Sequence, residues 1–234
     1  MSARLLPNLR SIPRKLLQCG SGIATVEFAA ALPFVLSTFM VATEITNYTI
    51  TKMRVSQIAL QVADNGSRIG TDSLLTDPQI TESDINDLLT GAGAQGTNLD
   101  LYTHGRVIIS SLEAIANPNT TNQFKIRWQR CRGVKNTTSG YGVQGDTNLA
   151  GMGPAGRQVT TPDDAGVIYV QVVYDYQPLF TSVVLPNTTF NEVAAMTVRD
   201  KRDYNGPSSG TNANIGIYES SGVTASTCNL FTAT

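Results

Sequence analysis

From Ile23 to Thr43 the chain is almost wholly apolar. At 1.5 Å per residue, a helix over this stretch is about 31 Å long, the thickness of a hydrocarbon core. Before it, residues 1–22 carry Arg4, Arg10, Arg14 and Lys15 and no acid. A positive flank stays on the cytoplasmic side, so the remainder is expected to be exported. One residue breaks the apolar pattern: Glu27 lies five positions after Gly22. A carboxylate inside a membrane span is costly and marks a functional position by default.

Three simple readings of this segment fit poorly. A cleaved secretory signal needs a short apolar region and a small-x-small site. This run is long, and "VAT" at 41–43 is a poor match. A lipoprotein signal places its apolar region before the cysteine, whereas here the run follows Cys19. A plain uncleaved anchor leaves Glu27 unexplained.

The stretch "GIATVEFAAALPFVL", starting at Gly22, resembles the type IV prepilin signature. It is similar in particular to the start of TadE-like proteins, the minor pilins or pseudopilins of tight-adherence (Flp-type) pilus systems. The likeness extends to "IRWQRCRG" at 126–133 and "GVIYVQVVYDYQPLF" at 166–180. The resemblance implies that a prepilin peptidase cuts after Gly22, leaving Ile23 as the new N-terminus. It also implies that Glu27 docks on the N-terminal ammonium of a neighbouring subunit. A charge in low dielectric is favoured only with a partner, which makes such a pair a register device. The alternative is that Glu27 snorkels to the interface from one turn inside the span. Pro33 removes one backbone bond from the helix and is expected to bend it, and with Glu27 it is assigned to packing in the assembly; the alternative is that a membrane helix simply tolerates it. Thr25 and Ala29, four apart, let a second helix approach. Glu44, just past the run, is read as a marker of the membrane–water boundary.

The helical pattern continues beyond Thr43. Val41, Tyr48, Val55, Val62 and Ile69 recur every seven residues, with Ile45 and Ile58 beside them. Lys52, Arg54, Gln57, Asp64 and Arg68 fall on the wetter faces. One helix of about 70 Å is expected from Ile23 to about Arg68. A short acidic helix follows over 82–89, with Thr81 or Ser83 as N-cap and Gly91 as its stop. "GAGAQG" at 91–96 matches G-x-G-x-x-G but follows a helix, not a strand, and so is rejected as a dinucleotide site.

Four strands are expected, over 106–112, 123–130, 166–176 and 189–200. In the second, Phe124, Ile126 and Trp128 alternate with polar residues and are assigned to one face. In the third, Ile168, Val170, Val172, Tyr174 and Tyr176 share a face. No helical crossover pattern separates the strands, so the pairing is antiparallel. The fold class is α+β, a long N-terminal helix on an antiparallel sheet of about four strands. The resemblance implies the same pilin-like plan. The organisation is then a basic prepilin-type leader (1–22), a transmembrane helix (23–43), an amphipathic extension (44–70) and an exported α+β domain (71–234).

Two stretches rich in Gly, Asn, Ser and Thr, 132–165 and 201–227, read as long loops. Within them Tyr141, Tyr204 and Tyr218 are expected to pack locally, the alternative being that they present contact surface to a partner. Cys131 and Cys228 form a disulfide if the domain is exported, or remain two buried free thiols. The one histidine, His104, is read as a turn residue at the start of a strand. With it and three cysteines, none in a C-x-x-C pair, an ordinary zinc site is not expected. The acids at 77–87 and Asp163–Asp164 match no calcium loop and are read as solvated. A net charge of −1 gives no basic face for nucleic acid. No catalytic motif, cofactor or metal is expected.

The resemblance implies a minor pilin of a bacterial cytoplasmic membrane, with its N-terminus inside and its domain periplasmic or extracellular. Its expected partners are the prepilin peptidase, other pilin and pseudopilin subunits, the pilus assembly machinery and the membrane. The alternative is an unprocessed, single-span binding module.

Overall fold

The computed structural model describes residues 22–73, 76–180, 188–199 and 201–233. The leader, apart from Gly22, lies outside them, as does Cys19. Helix α1 (Ile23–Gly66) runs unbroken for 44 residues, with Pro33 inside it. A small hairpin of β1 (Thr71–Ser73) and β2 (Thr76–Gln79) follows. Helix α2 (Glu82–Gln95), a 3-10 turn (Thr97–Leu99) and the single turn α3 (Leu101–His104) lead into the main sheet. Its strands are β3 (Gly105–Ala114), β4 (Phe124–Arg132), β5 (Gly166–Asp175) and β6 (Thr189–Thr197). They lie in the order β4-β3-β5-β6, every neighbour antiparallel. The long helix packed on a four-stranded antiparallel sheet is the expected α+β arrangement.

α1 packs on β5 and β6, and α2 packs beside α1. The inward residues of α1 are Glu44, Tyr48, Thr51, Val55, Ile58 and Val62, at alternating spacings of four and three. They meet Ile168, Val170, Val172 and Tyr174 of β5 and Phe190 and Ala194 of β6. Each fully buried aliphatic side chain here contributes about 1.5–3 kcal/mol. Val41 and Ile45, expected on this stripe, are exposed instead. The heptad register that buries Val55 and Val62 brings Glu44 inward and turns Ile45 out.

The opposite sheet face is also covered. Leu112, Phe124, Ile126, Val167 and Tyr169 pack against Met152, Leu149 and Tyr141 from the loop joining β4 to β5. Here the strand reading of β4 needs correction. The β3–β4 register slips between Ser111 and Leu112, which pair with Trp128 and Ile126. Arg127 is the extra residue, so Trp128 faces the helices while Phe124 and Ile126 face the loop. An alternating pattern on sequence cannot reveal a bulge that reverses its faces midway.

α2 begins at a capping box. The Thr81 hydroxyl accepts from Asp84 N, and the Asp84 carboxylate accepts from Thr81 N. The helix does not stop at Gly91, as expected, but continues to Gln95 with Gly96 as C-cap. Its buried face, Ile85, Leu88, Leu89 and Ala92, carries it through both internal glycines. Gly93 is needed there because a Cβ would sit 2.7 Å from the Tyr102 ring. The β1–β2 hairpin was not expected, since its strands are short and carry no apolar alternation.

The outer edge of β4 is closed by two segments. Phe124 N and Ile126 N donate to Leu149 O and Asp146 O of the β4–β5 loop, at 2.8 and 2.9 Å. Cys131 N and Gly133 N donate to Ser226 O and Thr232 O of the C-terminal tail, at 2.8 and 2.7 Å. An edge strand left open would invite pairing with another chain.

Candidate functional site

The residues singled out in the span stand at the start of α1. Gly22 forms its N-cap without a side-chain bond, and Ile23 is 61% exposed. Glu27 is exposed and has no hydrogen bond or ion pair among the described residues. Through Ala42 every residue of the apolar run is exposed, so the folded domain covers none of it. The helix is long and apolar enough to cross a membrane. Three of its hydroxyls are satisfied within it, Ser37 donating to Phe34 O at 3.0 Å. Thr38 donates to Phe34 O at 2.8 Å, and Thr43 to Phe39 O at 2.9 Å. An apolar medium demands this internal pairing. Past the run, α1 keeps an apolar outward side at Ile45, Ile50, Met53 and Leu60, all exposed.

Where the run ends, the structure assigns a role that the sequence reading missed. Glu44 is fully buried. Its carboxylate accepts from the Tyr176 hydroxyl at 2.5 Å, from Leu179 N at 3.0 Å and from Phe180 N at 3.2 Å. Asn47 Nδ2 donates to the same Tyr176 oxygen at 2.8 Å. Burial, and then the hydrogen bond to Glu44, push the Tyr176 phenol up to about 12. Tyr48 packs edge-on against both Tyr176 and Phe190, with centroids 5.3 and 5.0 Å away. Glu44 therefore does more than mark a boundary: it holds the chain leaving β5 against the helix. The four-and-three spacing to Tyr48, Thr51 and Val55 was the signal that it faces inward.

At the far edge of the sheet, Cys131 and Cys228 form a disulfide. Arg106, wholly buried, reinforces it by donating to Gly133 O at 2.9 Å, Cys228 O at 2.7 Å and Leu230 O at 3.0 Å. The Phe231 ring covers the same guanidinium, 4.2 Å from centroid to carbon. Nearby, the buried pair Arg130–Glu82 joins β4 to α2 at 2.5 Å, and Asn212 Nδ2 adds a bond to Glu82 at 2.8 Å. The span residues and the disulfide are thus separate features: the first lie on the part of α1 that the domain leaves bare, the second on the β4 edge of the sheet.

The loop tyrosines pack locally. Tyr141 meets Tyr169 edge-on, the Tyr204 hydroxyl accepts from Gly166 N at 2.7 Å, and Tyr218 donates to Asp203 at 2.5 Å. His104 ends α3 immediately before β3. Asp163 and Asp164 accept from Asn119 N and the Asn117 amide. They border an open cleft of about 570 Å³ that also holds Glu113, Arg127, Lys201 and Tyr204. Within it Glu113 and Arg127 pair at 2.6 Å, and burial pushes the Glu113 carboxyl up against the pull of Arg127. No group of three metal-ligating side chains occurs among the described residues.

Compared with known proteins, the chain matches no family model, no curated protein and no solved structure.

Proposed function

We propose that this chain is a minor pilin or pseudopilin of the TadE-like type, anchored by α1 in a bacterial cytoplasmic membrane and working in pilus assembly and adhesion. The observation that carries the reading is Glu27: an exposed carboxylate without a partner among the described residues, five positions after Gly22, in an apolar run that the domain leaves bare. A prepilin peptidase cutting after Gly22 creates an ammonium at Ile23. Glu27 then pairs with that ammonium on a neighbouring pilin or pseudopilin subunit, where either charge alone would be costly. The exposed Ile50, Met53 and Leu60 extend the apolar contact beyond the bilayer. Export of the domain also agrees with its disulfide, which persists in oxidising compartments.

The test is the N-terminus of the protein from its native membrane, by intact mass and N-terminal sequencing, with and without the peptidase. A start at Ile23 that depends on the peptidase supports the reading; a start at Met1 in both strains overturns it. Glu27→Ala separates the two roles, since cleavage should survive while incorporation into the assembly falls. The cleft around Glu113 and Arg127 favours a second reading, an unprocessed anchored binding module. A Met1 start would move the assignment there.

A further inference from the structure

The loop leaving β5 is pinned at the level where the apolar run of α1 ends. Leu179 N and Phe180 N both donate to Glu44, the first residue after that run. With the backbone turned inward, the two side chains point away: Leu179 is 58% exposed and Phe180 46%. Met40, Val41 and Ile45 are exposed on the helix at the same level. The segment 176–180, Tyr-Gln-Pro-Leu-Phe, carries no charge. Helix and loop together form an apolar collar continuous with the run below it.

We propose that this loop is an interfacial membrane anchor, with Leu179 and Phe180 entering the headgroup–acyl boundary of the bilayer that α1 crosses. Two observations select a lipid surface as the occupant. The first is continuity: the apolar run is of membrane length, and the loop is bonded to the residue at its end. The second is polar satisfaction. A loop that enters an apolar boundary must bring no free backbone donors with it. Here Leu179 and Phe180, the two residues that enter, have already given their N–H groups to Glu44, and Tyr176 has given its hydroxyl. Pro178 has no N–H to satisfy. The buried carboxylate thus makes this backbone compatible with the interface, and the aromatic and aliphatic side chains suit that depth. The inference rests on α1 crossing the bilayer and is independent of cleavage at Gly22.

The test uses the full chain in vesicles of phosphatidylcholine and phosphatidylglycerol, with tryptophan placed at single sites. The native Trp128 is buried and supplies the baseline. Phe180→Trp is read against phospholipid brominated near the top of its acyl chains, and against lipid brominated near their ends. Phe34→Trp reports on the span. Thr120→Trp, exposed in the turn between β3 and β4, reports on the other end of the sheet. β3 runs there from Gly105, which pairs with Tyr174, so that turn lies about 30 Å from the loop. The expected result is at least a twofold loss of the Phe180→Trp signal with shallow bromine, less with deep bromine, and none for Thr120→Trp. Quenching of Phe34→Trp without quenching of Phe180→Trp overturns the anchor and leaves the span standing. No quenching at Phe34→Trp overturns both. A Phe180→Trp emission that resists bromine but shifts to the blue as the protein-to-lipid ratio rises assigns the collar to a second copy, and also overturns the anchor.

Discussion

The Tyr176 hydroxyl donates to Glu44 Oε1 at 2.5 Å, tying the end of β5 to helix α1 at the edge of its apolar run. Tyr176→Phe removes one bond to a buried carboxylate and should cost about 1.5–3 kcal/mol. Glu44→Ala should cost more, because it leaves the Leu179 and Phe180 amides and the Tyr176 hydroxyl without their acceptor. Thermal unfolding of the full chain in detergent, followed by circular dichroism, orders the two variants.

The same pair predicts a response to alkali. Tyr176 is raised from 10.0 to about 12 by burial and by its bond to Glu44. A phenol raised in the folded state contributes stability that is fully present below pH 10. That contribution is lost as the pH climbs from about 10 to about 12. Wild type should therefore lose stability in this window more steeply than Tyr176→Phe. Equal slopes for the two proteins would remove the link.

Arg130 and Glu82 are 2% and 3% exposed, and each is costly without the other. Glu82→Ala should destabilise by about 3–5 kcal/mol, since it leaves a buried guanidinium without its counter-charge. The double change Glu82→Met with Arg130→Met should cost much less than the sum of its parts. Urea denaturation at constant m-value measures this cycle.

The Cys131–Cys228 bond spans a sequence separation of 97. In the chain-entropy account its removal costs about 4–5 kcal/mol. In Cys131→Ser with Cys228→Ser, hydrogen exchange should speed up at the Cys131 position and at Gly133, whose amides pair with the tail. Arg106 still grips Cys228 O and Leu230 O, so full release of the tail to protease should also need Arg106→Met.

Gly133 has φ +127, and a Cβ there would lie 2.8 Å from Arg106 Cα and closer still to Gly105 O. Gly133→Ala should cost on the order of 1–3 kcal/mol from backbone strain alone. Gly140 has open space around it, so Gly140→Ala should stay within about 0.5 kcal/mol of wild type. Parallel melting curves of the two variants check the difference.

Legibility in the sequence followed periodicity. The buried strip of α1 and the faces of β5 and β6 could be read because one residue type repeats at one spacing. Phe190, Ala194, Met196 and Val198 alternate along β6 and just past its end, and they pack toward the helices. Two things escaped. The Arg127 bulge reverses β4 without changing its alternation, because the extra residue is supplied by register with β3. Glu44 escaped because a polar residue at an inward heptad position looks like the end of a stripe until its donors are known, and those come from residues 176–180. The Thr81 cap was visible because its partner is only three residues away.

α1 is one unbroken helix, so in the proposed orientation the domain shares the tilt of the span. About 34 Å of helix lies beyond Thr43, at 1.5 Å per residue. A tilt of about 20°, typical of membrane helices, would carry the far end of that arm sideways by about 12 Å. The contacts of Glu44 sit at the fulcrum, and Leu179 and Phe180 project to one side of it. A lever braced on one side leans more easily away from the brace than toward it. In the proposed orientation, the loop after β5 would set the direction in which the domain points.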